Sequence, residues 1–251
     1  MSLERARRPG VDDKRALYRA RPLVFVDDLD RPVLEEVDRR HLSGSLRLRA
    51  GDEVTAGDGH GGWRVCRLGD ALEPVGGIHR AQRPHPPVTV GFALVKGGKA
   101  DSIVQKLTEV GVDRIVSFDA ARSVVRWDEA TALDRWSRMA RVMREAAMQS
   151  RRLWLPQLDP LRPFDQVVGP GTALADPEGG PLNENLTELL VGPEGGWSGA
   201  ERKGRPTVRL GTEVMRTETA AVVAGALLVG LRAQLLSPPR SAAPGPVGGR
   251  N

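Results

Sequence analysis

Two short loops of this chain carry residue types that can hold a small ligand and act on it. The first loop, Gly192-Pro193-Glu194-Gly195-Gly196, follows a hydrophobic run, and the second, Met215-Arg216-Thr217-Glu218-Thr219, precedes an alanine-rich helix. Glycine permits positive φ and lets a ligand approach backbone N–H and C=O groups closely. Arginine can stabilise a developing anion, and a carboxylate can accept a proton. The loops therefore predict a binding site made mostly of backbone.

Each loop also has a simpler interpretation. Gly-Pro-Glu-Gly-Gly by itself is a turn, because glycine and proline occur in most connections between elements. Thr217, Glu218 and Thr219 can equally cap the following helix, for which threonine and glutamate are suited. A second Pro-Glu-Gly-Gly at 177–180 is either a further wall of the pocket or a plain loop. These alternatives stay open at the level of sequence.

The order of the motifs resembles one known class of enzymes. Leu189–Gly196, Arg209–Gly211 and Arg216–Ala220 together are similar to the knotted SPOUT class of S-adenosylmethionine methyltransferases, and within it to the RsmE family. The resemblance covers roughly residues 21–237 and includes four further segments: His41–Val54, Gln105–Val112, Ala121–Ser123 and Gln149–Arg152. Members of this family methylate N3 of one uridine in 16S ribosomal RNA.

Three features depart from the family pattern. Met148 stands where the family usually has an acidic residue, and Trp197 stands where it usually has a smaller aliphatic one. Only residues 197–206 separate the glycine loop from the next strand, which shortens or removes an expected helix. The resemblance therefore predicts ligand contacts at 192–196 more specifically than it does near residue 197.

The resemblance implies a fold, a cofactor and partners. The implied fold is α/β, a SPOUT-type trefoil-knotted parallel sheet preceded by a small PUA-like β-barrel that binds RNA. The implied cofactor is S-adenosyl-L-methionine, and the substrate is 16S rRNA of the small ribosomal subunit. The implied assembly is a homodimer whose active site includes parts of both subunits. Periodicity alone does not give the knot, because a Rossmann-like open sheet produces the same alternation of elements.

The expected site residues fall into three groups. Those expected to contact the cofactor are Leu190, Gly192, Pro193, Glu194, Gly195, Gly196, Leu210, Gly211, Met215 and Thr219. Arg216 is expected to stabilise the uracil anion, and Thr217 and Glu218 are candidates for orienting groups or for the base. RNA contacts are expected from Lys96, Arg122, Gln149, Arg151 and Arg152. No metal is needed for this chemistry.

Shifts in composition divide the chain into four parts. Residues 1–20 form a basic arm, 21–84 the small β-barrel, 85–237 the methyltransferase domain and 238–251 a disordered tail rich in Pro and Gly. Short apolar segments separated by glycine turns predict barrel strands at 23–26, 46–48, 54–56 and 63–68. The proline-rich segment 83–87 is a stiff connector between the two domains.

The second domain alternates strands with helices, which implies a parallel α/β sheet. Strands are predicted at 88–95, 115–118, 172–175, 187–191 and 207–210, and helices at 102–110, about 130–150 and 219–236. The first helix is expected to begin with a Ser102/Gln105 capping box and to end at Gly111. The last helix is apolar on more than one face, as an interface helix or a central core helix would be.

Composition is consistent with a protein that meets a polyanion. The 251 residues carry a net charge of +5, which attracts RNA, although many basic proteins bind none. A single cysteine and four scattered histidines exclude a disulfide framework and a zinc site. The absence of a long apolar run or an apolar signal core predicts a cytoplasmic protein with no membrane attachment.

Two other functions stay open from sequence. A related SPOUT enzyme can methylate a ribose hydroxyl of transfer RNA, and a non-catalytic member of the fold can act as an RNA-binding ribosome-assembly factor. Lys96-Gly97-Gly98-Lys99 is no P-loop, because Ala93 replaces its first glycine and Ala100 replaces its hydroxyl residue. This segment is either a basic loop beside the RNA or a solvated turn.

Overall fold

The N-terminal part of the chain forms a four-stranded mixed sheet. The computed structural model describes residues 21–236, so the predicted arm at 1–20 and tail at 238–251 lie outside the described residues. The strands are β1 Leu23–Phe25, β2 Glu53–Gly57, β3 Gly62–Arg67 and β4 Glu73–Arg80. β1 runs parallel to β2, and β2, β3 and β4 pair antiparallel in that order. Helix α1 Glu36–Arg40 and a π-helical turn His41–Ser45 connect β1 to β2.

The structure corrects the predicted strands of this part. The segment 46–48 is not a strand, because Arg47 has a left-handed φ of 55° and the Leu48 N–H donates to the Leu42 carbonyl. β4 was not predicted, because it is mostly exposed and has two glycines in its middle. No ladder joins β4 to β1 among residues 21–236, so the closed barrel remains a prediction.

The second part confirms the predicted parallel α/β sheet. Its strands are β5 Thr89–Ala93, β6 Arg114–Asp119, β7 Gln157–Pro163, β8 Ala173–Gly180, β9 Glu188–Val191 and β10 Thr207–Val208. All pair in parallel in the order β10-β8-β9-β5-β6-β7. β7 was missed because it contains two prolines and few apolar residues, which an edge strand tolerates.

Four α-helices accompany this sheet in the described part of the chain. They are α2 Lys99–Val110, α3 Glu129–Gln149, α4 Gly199–Arg202 and α5 Thr217–Arg232. The predicted capping box is wrong: α2 begins three residues before Ser102, and Gln105 donates to Glu109 instead. Gly111 ends α2 with a φ of 103°, as predicted. No helix within residues 21–236 is long and apolar enough to cross a membrane.

Both faces of the parallel sheet are covered. Residues of α2, α3 and α5 pack on one face around Phe92, Leu107 and Leu228. On the other face, Phe164 and Trp197 lie with Phe118, Leu174 and Leu190. A parallel sheet buried on both sides has its free polar surface at the strand ends, where ligands bind in open α/β folds. The loops after β8 and β9 are at that edge.

Arg144 on α3 joins the two parts of the molecule. Its guanidinium donates to the Asp38 carboxylate at 2.7 Å and to the Phe25 carbonyl at 3.0 Å. Asp38 is only 4% exposed, and Phe25 is also buried. Beside these contacts, Ala147 and Leu153 pack in one apolar cluster with residues of β1 and β3. The N-terminal sheet is therefore held directly on α3.

A buried carboxylate ties together three remote segments of the second part. Asp113 accepts hydrogen bonds from the Val88 N–H at 2.8 Å and from Arg152 at 3.1 Å, and it also pairs with Arg232. Burial lowers the pKa of Arg152 to about 10, although Asp113 favours its charged form. The start of β5, the segment after α3 and the end of α5 thus meet at one side chain.

Replacing Arg144 by methionine should lower the free energy of unfolding by about 2–3 kcal/mol, because Asp38 and the Phe25 carbonyl would stay buried without their donor. Urea titration measures this change. Arg141→Met on the exposed side of α3 is the matched control and should stay within about 0.5 kcal/mol of the parent. Coincident unfolding curves for the two variants would contradict the anchoring role.

Candidate active site

A pocket of about 290 Å³ lies between β8 and the loops that follow β6, β9 and β10. Both loops singled out in the sequence line it. The predicted residues on its wall are Gly192, Pro193, Glu194, Gly196, Leu210, Gly211, Met215 and Thr217. Its volume is close to the lower end of the range for small-molecule sites.

Several lining residues come from parts of the chain that the sequence did not connect to the site. They are Ala175, Asp176, Arg202, Glu213 and Val214, whereas the other lining residues, Arg122, Pro177, Val191, Trp197 and Ala220, belong to or adjoin segments that the sequence had singled out. Pro177 of the second Pro-Glu-Gly-Gly also lines the pocket, but residues 177–180 belong to β8, so the interpretation of this segment as a plain loop is wrong. Asp176 and Arg202 do not belong to any motif that would have identified them as site residues.

The glycine at 192 is required by the tryptophan behind it. A Cβ at Gly192 would lie 2.9 Å from the Trp197 ring. The Trp197 indole N–H donates to the Ala175 carbonyl at 2.8 Å, and its ring stacks on Phe118 with centroids 5.9 Å apart. Trp197 therefore links the ends of β8, β9 and β6, and it fills the space behind the pocket.

Thr217 connects the glycine loop to the start of α5. Its hydroxyl donates to the Gly192 carbonyl at 2.9 Å, and the side chain is buried. Arg216 is the N-cap residue of α5, and no side chain provides a capping hydrogen bond there. Thr217 uses its hydroxyl at Gly192 and so does not cap the helix, whereas the Glu218 carboxylate accepts a hydrogen bond from its own backbone N–H in the first turn, which agrees with the capping interpretation of that residue. Thr219 is exposed and does not line the pocket.

Glu218 is ion-paired with Lys99, the first residue of α2 and the last of the basic segment Lys96–Lys99. Lys99 Nζ lies 2.8 Å from Glu218 Oε1, and this hydrogen-bonded contact lowers the pKa of the Glu218 carboxyl. The positive charge of Arg216 acts on Glu218 in the same direction. Neither Arg216 nor Glu218 lines the pocket, and Arg216 is exposed beside it. The Lys96–Lys99 segment is thus next to the start of α5.

Gly195 has a different role from its neighbours. It does not line the pocket, and a Cβ there would lie 3.2 Å from the Arg122 carbonyl oxygen. Arg122 Nη1 donates to the Gly195 carbonyl at 3.2 Å, so the two loops hold each other. Arg122 was predicted as an RNA contact, and the structure places it on the pocket wall.

Glu201 fixes the position of the Arg122 loop. Its carboxylate accepts hydrogen bonds from the backbone N–H groups of Ala121 and Ser198, each at 2.8 Å. Burial raises the pKa of the Glu201 carboxyl, but these hydrogen bonds outweigh it, so the pKa lies below its usual value. The short helix α4, which begins at the Ser198/Glu201 capping box, is what remains of the shortened segment.

The other predicted residues are dispersed. Leu190 is buried in β9 beneath the pocket, and Lys96 and Gln149 are exposed. Arg151 is half-buried after α3. Arg152 donates to the Asp113 carboxylate and to the Thr108 and Trp154 carbonyls. It was predicted to contact RNA, but its donors are used inside the protein, so its role is structural. Within residues 21–236 no group of three or more His, Cys, Asp or Glu is arranged to hold a metal ion. Chemistry without a metal remains a prediction.

Comparison with known proteins identifies similar chains. Residues 82–229 match the RNA methyltransferase domain family. Ribosomal RNA small subunit methyltransferase E from Mycobacterium bovis is 33% identical over 240 residues, which cover 80% of this chain and 88% of the relative. The enzyme of the same name from Synechocystis is 33% identical over 210 residues, 73% of this chain and 68% of that one.

A solved structure extends the similarity to the fold. It is the ribosomal RNA small subunit methyltransferase E from Neisseria gonorrhoeae bound to S-adenosyl methionine, with a TM-score of 0.72 and 25% identity. The match covers 84% of this chain and 98% of that one. Both parts of the described fold therefore have a counterpart in that protein.

Gly192→Ala should destabilise the protein by about 1–3 kcal/mol, because the new methyl group would displace Trp197. Chemical denaturation measures the effect. In a Trp197→Leu background, Gly192→Ala should cost at least about 1 kcal/mol less, because the indole ring that the new methyl group would meet is no longer there. Gly199→Ala, where a Cβ meets open space, is the control. Equal costs in both backgrounds would refute the packing constraint.

Proposed function

The chain belongs to the ribosomal RNA small subunit methyltransferase E family and is an S-adenosylmethionine-dependent methyltransferase of ribosomal RNA, and we propose that it methylates N3 of one uridine in the 16S RNA. The observation that supports the proposed site is the pocket formed by the glycine loop and the segment 210–217. Mass spectrometric mapping of the methylated atom tests the assignment to N3 and distinguishes it from a ribose hydroxyl.

The pocket residues fit S-adenosylmethionine. We propose that backbone groups of 192–196 and of 210–215 bind the adenosine part, with Met215 and Leu210 packing on its faces. When bound, the cofactor supplies an electrophilic methyl group on a sulfonium centre. Leu190 supports this wall from below, and Gly195 supports it through Arg122. Thr219 contributes through the first turn of α5 and not by contact with the pocket.

The start of α5 carries the groups proposed for the reaction. The uracil N3–H must lose its proton, and negative charge then spreads onto the adjacent carbonyl oxygens. Arg216, exposed beside the pocket, can donate to such an oxygen through its planar guanidinium. Thr217 is bonded to Gly192, and Glu218 is paired with Lys99. Both contacts fix the backbone from which the Arg216 side chain projects. Because Glu218 is already paired and its pKa is lowered, we propose that it orients and does not deprotonate.

The RNA is proposed to lie across both parts of the molecule. We propose that residues 21–84 are a PUA-like RNA-binding domain and that residues 85–237 contain the methyltransferase domain. Lys96 and Gln149 are exposed, so phosphates can reach them, and the half-buried Arg151 lies two residues after Gln149. Arg122 is exposed at the pocket wall, where cofactor and nucleotide would meet. A substrate of ribosomal RNA is consistent with action in the cytoplasm.

A homodimer is proposed from an apolar groove beside α5. Leu227, Leu231 and Leu236 line this groove of about 750 Å³, together with Pro181 and Leu182. Such a surface is typical of a self-complementary contact between helices of two copies. Leu210 and Gly211 border both the groove and the pocket, so a second copy would lie next to the site. Sedimentation equilibrium of the full chain tests the stoichiometry.

The trefoil knot is also part of the proposal. β10 is the edge strand beside β8, and α5, which follows it in the chain, packs on α2. We propose that the connection between them, residues 209–216, passes through the loop formed by earlier strands. An experimental chain trace through that segment decides between a knotted and an open sheet.

Arg216→Lys should lower the single-turnover rate of methyl transfer by about 10²–10³ while changing the affinity for S-adenosylmethionine much less. Lysine keeps the positive charge but loses the planar pair of donors. Arg162→Lys, an exposed arginine on β7, should retain the parent rate. If Arg216→Lys stays within a few fold of the parent, Arg216 does not stabilise the transition state.

Lys96→Met should weaken binding of the ribosomal RNA and reduce the slope of log affinity against log salt by about 0.7–0.9, because one phosphate contact no longer releases counterions. Filter binding of the full chain over a range of salt concentrations gives the slope. Lys203→Met, a lysine equally exposed beyond α4, should leave it unchanged. An unaltered slope in Lys96→Met would exclude a phosphate contact at this loop.

A further inference from the structure

An ion pair between β8 and α4 forms part of the pocket wall. Asp176 in β8 and Arg202 at the end of α4 both line the cavity, with Arg202 Nη2 lying 3.4 Å from Asp176 Oδ2. The Asp176 side chain is 8% exposed, whereas that of Arg202 is 42% exposed. The other Asp176 oxygen accepts the Glu178 N–H at 3.0 Å, which fixes the carboxylate.

Asp176 differs from every other charged residue of this wall. Arg122, Glu194 and Glu213 also line the pocket in the described part of the chain, but each of them is exposed. A buried carboxylate is costly unless it is paired closely. Its distance of 3.4 Å from the guanidinium exceeds the 2.7–2.9 Å of a strong charge-assisted bond, so the pair is loose. Both groups have the capacity to bind a further polar ligand.

We infer that Asp176 and Arg202 bind the α-amino and α-carboxylate groups of the methionine end of S-adenosylmethionine. An α-amino acid is a zwitterion, and its two charges match an adjacent carboxylate and guanidinium. Asp176 takes the ammonium group, and Arg202 takes the carboxylate, for which its paired donors are suited. This inference rests on the proposed cofactor site.

The charge of the whole wall agrees with this assignment. Three carboxylates, from Asp176, Glu194 and Glu213, face two guanidinium groups, from Arg122 and Arg202. The wall therefore has one excess negative charge, and S-adenosylmethionine has one excess positive charge. A carboxylate alone can also bind the two hydroxyls of a ribose. The Arg202 guanidinium beside the Asp176 carboxylate favours binding of the zwitterionic amino acid end over binding of the ribose hydroxyls.

Calorimetry on the full chain can test each charge separately with four ligands. S-adenosylmethionine and S-adenosylhomocysteine carry both charged groups of the amino acid end. Decarboxylated S-adenosylmethionine keeps only the ammonium group, and 5′-methylthioadenosine lacks the amino acid end altogether. All four retain the adenine and the ribose. Two pairs share the same charge on sulfur: S-adenosylmethionine with its decarboxylated form, and S-adenosylhomocysteine with 5′-methylthioadenosine. Differences within each pair therefore report the amino acid end.

Arg202→Met should weaken S-adenosylmethionine and S-adenosylhomocysteine by about 10- to 100-fold and leave the other two ligands unchanged. Asp176→Asn should weaken the three ligands with an ammonium group and leave 5′-methylthioadenosine unchanged. Asparagine keeps an acceptor for the Glu178 N–H, so the strand end is preserved. Lys203→Met and Asp165→Asn, both exposed and outside the pocket, are the matched controls.

The outcomes separate this inference from the proposed function. Equal weakening of S-adenosylhomocysteine and 5′-methylthioadenosine by Asp176→Asn would place the ribose at Asp176 and overturn the inference. Parent-like affinity of both variants for all four ligands would overturn it as well. If the parent chain itself bound none of the four ligands, the proposed cofactor site would fail first.

Discussion

The contact between the Trp197 ring and the bare α-carbon of Gly192 is the constraint on which the pocket depends. Because glycine has no Cβ, the loop after β9 passes at contact distance over an indole that is itself fixed by the Ala175 carbonyl. The Gly192 carbonyl is then held where the Thr217 hydroxyl can reach it. The start of α5, and with it Arg216, is therefore positioned through the contact between Trp197 and Gly192.

A series of buried polar contacts extends from this point to the N-terminal sheet. α5 is fixed at its start by Thr217 and at its end by Arg232, which binds Asp113. Asp113 also holds Arg152 in the segment after α3. α3 in turn carries Arg144 to Asp38. Removing one partner from such a buried pair leaves a desolvated charge, so the pocket and the N-terminal sheet share elements that are costly to separate.

The features that could be predicted from the sequence are those that depend on a local pattern of residues. The parallel sheet, the end of α2 at Gly111 and the approach of the two loops follow from alternation of elements and from glycine chemistry. β4 and β7 were missed, because a polar or proline-containing edge strand has no apolar signature. Asp176 and Arg202 reach the pocket through tertiary packing of segments remote in sequence from the two loops, which no motif records.

The basic composition of the chain shows why charge alone is a weak guide to RNA contacts. The net charge is +5, yet three of the arginines, Arg144, Arg152 and Arg232, are bound to the carboxylates of Asp38 and Asp113 inside the protein. Those guanidinium groups cannot release counterions from phosphates without breaking a buried pair. Arg152 illustrates the point, because its motif resembled an RNA contact while its donors are needed to close the end of α3. Exposure, and not the arginine count, therefore decides which cations can meet the RNA.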